Sequence, residues 1–170
     1  MHINEVVMKK IFTLFLSLIL IISVVSCSKS TSYRDDIPCS KISKAICDEA
    51  EVDGGYSMYD SEHIGFLFED TSLFDECSVV YSTEVTDINE VGVFYCGDKD
   101  SAKALTESVS KYITEMQAEQ KAFIESYAPR QVPKLENAEV RQYGNYVIYL
   151  ILDETTQKNA WNKVKDVLIK

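Results

Sequence analysis

Hydrophobic positions along the chain follow three different rhythms. Ile11 to Val25 is a continuous apolar run, broken only by Thr13, Ser17 and Ser23. Further on, Ile42, Ala45, Ile46 and Ala50 recur at helical spacing, with Cys39 one turn earlier. Asp36-Ile37-Pro38 offers a capping side chain and a first-turn proline, and Gly54-Gly55 a stop, so the pattern predicts a helix over 37–51. The rhythm then changes to a period of two. "VVYSTEV" (79–85) and "EVGVFYC" (90–96) are rich in β-branched and aromatic residues, and Val91, Val93 and Tyr95 alternate on one face. They predict a hairpin with Thr86-Asp87-Ile88 in its loop. Asp98 caps a long helix whose stripe is Ala102, Leu105, Val109, Tyr112, Ile113, Met116, Phe123, Ile124 and Tyr127, closed by Pro129. Gly144-Asn145 joins two more strand patterns, and residues 146–152 are apolar on both faces, as an interior strand requires. Asp153 to Thr155 opens a last helix with Ala160, Trp161, Val164, Val167 and Leu168 inward. Residues 56–78 keep no clean period beyond short helical turns near 60–67 and 72–76.

The order helix, two strands, long helix, two strands, helix predicts an α+β fold. It would be a four-stranded, mainly antiparallel sheet with helices on one face, filling a single domain over 36–170.

The first rhythm has a different meaning. Lys9-Lys10 precedes the apolar run, which spans 15 residues where a membrane helix needs about 20. This is the pattern of a signal peptide, and "MKKIFTLFLSLIL" from Met8 reads like a natural start. At its end, Val24-Val25-Ser26-Cys27 resembles the lipobox of bacterial lipoproteins: an aliphatic residue, a small or aliphatic one, a small one, then cysteine. The resemblance implies that residues 1–26 are a signal peptide and that Cys27 becomes the first residue, carrying a diacylglycerol with palmitate-like chains. An uncleaved membrane anchor is the alternative. Residues 27–35 then form the lipidated cysteine and a polar, flexible tether. The implied location is the outer face of the cytoplasmic membrane, held there by the lipid.

Charge narrows the partners. The chain carries a formal net charge of −10, so neither nucleic acid nor an anionic membrane surface is expected to recruit it. Between Ala45 and Asp98 there are 14 acidic residues and no Lys or Arg, whereas 11 basic and 10 acidic residues follow from Lys99 onward. The acidic segment reads as a solvated face, with a patch for a basic partner or a cation as the sharper alternative.

Candidate chemistry is sparse. No CxxC, HExxH, GxSxG or phosphate-binding glycine loop occurs, so no catalytic residue, metal ligand or cofactor is assigned. His63 is the one histidine after the lipobox and is expected on the surface. Glu49-x-Glu51-x-Asp53-Gly54, with Asp60 at the twelfth position, imitates a calcium loop, but its first and last acids have the wrong lengths for the cage. Four cysteines follow Cys27. If Glu84 paired with Asn89 across the first hairpin, Cys77 would face Cys96 and a disulfide could join them; four buried free thiols is the other reading. Tyr143, Tyr146 and Tyr149 either line a recognition surface or pack under helices.

One further pattern is carried by Tyr127-Ala-Pro129, Pro133, Asn137-Ala138-Glu-Val140 and Gly144-Asn145-Tyr146-Val147. With the lipobox and the long helix, it resembles the small lipoproteins of low-GC Gram-positive bacteria that carry domain of unknown function 4358. The resemblance covers roughly 79–168 and departs in the cysteines and in 48–76. It implies no activity. The expected role is a non-enzymatic, membrane-tethered domain that binds an envelope protein, through an uncovered sheet face or the acidic segment. The alternative is a lipoprotein that binds a small ligand or a cation.

Overall fold

The computed structural model describes residues 31–50 and 55–170. The signal peptide, Cys27 and part of the calcium-like loop lie outside the described residues. Residues 32–170 form one compact unit. Its elements are α1 (Cys39–Ala50), β1 (Tyr56–Met58), α2 (Ser61–Leu67), β2 (Glu76–Ser82), β3 (Glu90–Tyr95), α3 (Lys99–Tyr127), α4 (Val132–Glu136), β4 (Glu139–Tyr143), β5 (Tyr146–Ile151) and α5 (Glu154–Leu168), with single 3₁₀ turns at Thr71–Leu73 and Pro129–Gln131.

The fold is α+β, and two features of the expectation are corrected. The sheet has five strands, all antiparallel, in the order β1-β2-β3-β5-β4. The extra strand, β1, is three residues long, too short to show a period of two. Helices cover both faces rather than one. On one face α1 and α5 place Ile42, Ile46, Trp161, Val164 and Leu168 against Val91, Val93, Ile148 and Leu150. On the other, α2 and α3 place Ile64, Leu105, Val109 and Ile113 against Val79, Phe94, Val147 and Ile151. No described sheet face is left bare for a partner. β5 is interior as expected, with all six residues buried.

The helix starts follow local chemistry. The Asp98 carboxylate accepts from the backbone N–H of Asp100 and Ser101 at 2.8 and 2.9 Å, and Asp153 does the same for Thr155 and Thr156 at 3.1 Å. Asp36 does not cap α1. It pairs with Arg34 at 3.1 Å, and the Cys39 N–H instead donates to Glu76 of β2 at 2.8 Å. Gly144 takes φ +64°, the conformation that a two-residue hairpin demands at its first central position.

The first hairpin is wider than its sequence implies. Tyr81 pairs with Glu90 and Val80 with Val91, so Cys77 lies opposite Phe94, two positions from the register that would face it to Cys96. Asp87 fixes the longer loop. Its carboxylate accepts from the Asn89 N–H at 3.2 Å and from Lys134 of α4 at 2.6 Å, an ion pair with both side chains 15% exposed. Cys39, Cys47, Cys77 and Cys96 are all free thiols.

The segment before α1 is fastened at the other end. Tyr33 bridges Ile169, the Arg34 N–H donates to Leu168 O at 2.8 Å, and the Lys170 N–H donates to Ser32 O at 3.1 Å. Residues 32–34 are thus held against residues 168–170.

Candidate functional site

Two places in the fold hold polar chemistry that packing alone does not require. The first is an open groove of about 560 Å³ between β4 and α5. Its floor and one wall come from Glu136 to Arg141. Its other wall comes from one side of α5, where Glu154, Gln157, Lys158, Trp161 and Lys165 follow at helical steps. The Arg141 guanidinium lies 4.3 Å over the Trp161 ring and holds Glu139 through two hydrogen bonds of 2.7 and 2.9 Å. The Trp161 indole N–H donates to Glu139 at 3.0 Å. Gln157, 8% exposed, donates through Nε2 to Asn137 O at 2.9 Å, and its buried Oε1 has no partner among the described residues. Glu136 is neutralised by Lys121 at 2.6 Å. Lys158 and Lys165 make no ion pair among the described residues, and nor does Glu154 on the same wall, so the groove is left with one net positive charge.

The second place is a buried carboxylate under α3. Glu90, 6% exposed, accepts from Tyr149 at 2.6 Å, Tyr112 at 2.9 Å and Tyr59 at 3.3 Å. These phenols come from β5, α3 and the β1–α2 connection, so one side chain ties three layers of the fold. Tyr59 also stacks on Tyr81, ring centroids 4.4 Å apart. Burial pushes the Glu90 carboxyl above its ordinary value, and the three hydroxyl donors oppose that rise without cancelling it. Burial and the neighbouring Glu90 also raise Tyr112 and Tyr149. The cluster is enclosed and satisfied, which is the arrangement of a structural knot.

The residues singled out in the sequence are scattered. His63 is exposed on α2, its Nδ1 2.8 Å from the Asp60 carboxylate, which also caps that helix. Asp60 is therefore occupied as a cap. Among the described residues, no group of three metal-ligating side chains converges. Tyr146 and Tyr149 are fully buried and Tyr143 is 6% exposed, so the hairpin tyrosines are core. Burial raises the thiols, Cys47 to about 12 and Cys96 to about 11, which leaves them protonated and poor nucleophiles at neutral pH. No described helix is long and apolar enough to cross a membrane. The acidic segment runs from the end of α1, where Glu49 lies 3.8 Å from Lys163 of α5, through β1, β2 and β3.

Neither the groove nor Glu90 was legible beforehand. Glu90 reads as an ordinary polar strand end, and its only clue is the surplus of tyrosines. Trp161 and Arg141 meet only once β4 is known to be an edge strand beside α5.

Comparison with known proteins gives one match. The model of a family described as Domain of unknown function (DUF4358) matches residues 67–152, just over half the chain. That span contains β2, β3, α3, α4, β4 and β5, and so Glu90, Tyr112, Tyr149 and the β4 wall of the groove. No curated protein and no solved structure matches the chain.

Proposed function

The chain belongs to the domain of unknown function 4358 family, and from that premise we propose that it is a lipid-anchored, non-enzymatic protein-interaction domain on the outer face of the cytoplasmic membrane. The observation that carries the interaction reading is the groove between β4 and α5, which lies beside a sheet edge with no described strand on its outer side. Grooves of this form suit an extended segment of another protein. Support for the anchor comes from Lys9-Lys10, the apolar run and Cys27 at lipobox spacing. With Ser32 tied to Lys170, only residues 28–31 separate Cys27 from the folded unit, five Cα steps that span at most about 18 Å when fully extended. The domain then works within one protein diameter of the membrane.

Two experiments test this. Growth with an alkyne fatty acid should label the wild type and not Cys27→Ser, and intact mass should show a chain starting at Cys27. A chain that retains residues 1–26 sinks the anchor. Chemical crosslinking in living cells should then give a discrete protein adduct. The alternative, a small-ligand lipoprotein, is favoured by the unpartnered Gln157 Oε1 at the same groove. A ligand that raises the melting temperature of the wild type but not of Gln157→Glu, with no protein adduct in cells, would select it.

A further inference from the structure

The groove has the layout of a strand-addition site, in which an edge strand and a neighbouring helix enclose an extended peptide. The register decides which backbone groups of β4 are free. Tyr143 and Tyr146 flank the two-residue turn, so they form a hydrogen-bonded pair. Alternation then makes Arg141↔Ile148 and Glu139↔Leu150 the bonded pairs with β5. The N–H and C=O of Val140 and Gln142 point the other way, to the outer edge, where no described strand lies. An incoming strand finds two donors and two acceptors in the right alternation.

The α5 wall sets length and charge. Glu154 to Lys165 is about 16 Å of helix, the span of roughly five extended residues. Lys158 and Lys165 lie two turns, about 10 Å, apart on that wall. Both are unpaired among the described residues, in a chain whose net charge is −10. The acids of the opposite wall are already neutralised, Glu136 by Lys121 and Glu139 by Arg141. Trp161 is only 3% exposed beneath the Arg141 guanidinium, and its N–H is satisfied by Glu139, so the groove meets an occupant with backbone and charge rather than with an aromatic surface. Glu154, one turn before Lys158, is the wall's own acid, unpaired among the described residues, so the two lysines leave one net positive charge, toward the Lys165 end, and that excess calls for carboxylates on the occupant.

We propose that an acidic, extended segment of another envelope protein docks as a sixth strand on β4, its carboxylates against Lys158 and Lys165. This rests on the protein-interaction reading above and names its surface and partner chemistry. Gln157 Oε1, at the base of the groove, is a spare acceptor for a donor on that segment.

The test uses the full-length, membrane-bound chain in living cells, with a photoreactive residue at Gln142, Asn162, Phe66 or Phe123, all exposed. Crosslinked peptides are read by mass spectrometry. Expected is one dominant adduct from Gln142 and Asn162, through a peptide rich in Asp and Glu, and none from Phe66 or Phe123. Val140→Pro removes an outward N–H while sparing the bonds to β5, and also removes a side chain packed on the α3-side core; it should cut the yield at least tenfold, whereas Val140→Ala, which loses the packing and keeps the N–H, should not. Lys158→Glu with Lys165→Glu should cut the yield as Val140→Pro does, and the double Arg variant should keep the adduct. Should Val140→Pro fail to fold, the lysine variants decide alone. A dominant adduct from Phe66 or Phe123 only would overturn this surface while leaving the protein-interaction reading standing. No protein adduct at any of the four positions would overturn both. An adduct indifferent to Val140→Pro in a folded protein, attached through a basic or uncharged peptide, or formed with a second copy of this chain would overturn acidic strand addition.

Discussion

The two faces of the sheet solve the same burial problem in opposite ways. Under α1 and α5 the core is aliphatic and aromatic; it holds a 2.7 Å hydroxyl pair, Ser43 with Ser78, and, beside the groove, the Trp161 N–H donated to Glu139. Under α2 and α3 the core encloses a carboxylate and three phenols. A hydroxyl pair is cheap to bury and cheap to lose. A carboxylate is costly to bury and more costly to leave short of donors. The α3 face is therefore the brittle one, held by geometry as well as by area, while the α1/α5 face tolerates change.

Four substitutions probe that contrast. The largest effect is expected from Gly92→Ala. Gly92 pairs with Tyr149 across β3 and β5, and a Cβ there would collide with the Tyr149 ring. That ring is fully buried and aims its hydroxyl at Glu90, so it cannot swing away. A loss of about 3 kcal/mol is expected in urea unfolding, or no folded protein at all. Tyr149→Phe keeps the ring and removes the shortest hydrogen bond to Glu90. It should cost about 2 kcal/mol, the penalty for a buried acceptor that loses a donor.

Glu90→Gln sharpens the comparison through pH. A carboxyl whose value is raised on folding favours the folded state in its protonated form. Its contribution is complete below the ordinary value of 4.5 and is lost as pH rises through the raised, folded value. Stability of the wild type should therefore fall relative to Glu90→Gln as pH climbs from 4 toward neutrality. Parallel profiles for the two proteins would mean that Glu90 is not the group responsible. The smallest effect is expected on the other face. Ser43→Ala with Ser78→Ala removes both members of a buried pair and should change stability by less than about 0.5 kcal/mol. A loss comparable with that of Tyr149→Phe would erase the distinction between the faces.

Periodicity located α1, β2, β3, α3, the β4–β5 hairpin and α5, because each repeats long enough to show its period. It could not assign each helix to a side of the sheet. A stripe such as Ala102, Leu105 and Val109 states that one helix face is buried, and is silent about which sheet face buries it. The clue to two-sided cover was already present in Val79-Val80 and in Tyr146–Ile151, whose consecutive apolar residues point both ways. The hairpin register slipped by two for a different reason. Residues 83–89 look short enough for a tight loop, but Asp87 is committed to Lys134, 47 positions away, a contact that no local rule contains. The candidate site was less legible still. Its walls are an edge strand and a helix separated by β5, and its chemistry depends on which charges are already paired.

The fastening of residues 32–34 to 168–170 carries a mechanical consequence for the lipid-anchored form proposed above. Tension from the membrane enters the domain at Ser32, where the two backbone hydrogen bonds that make the Tyr33–Ile169 bridge receive it before any strand of the sheet does. The clasp thus acts as a fuse. When it opens, residues 32–36 pay out as additional leash, lengthening the reach by about 17 Å at full extension while the five-stranded sheet stays whole. The same two hydrogen bonds that shorten the leash at rest would lengthen it under load.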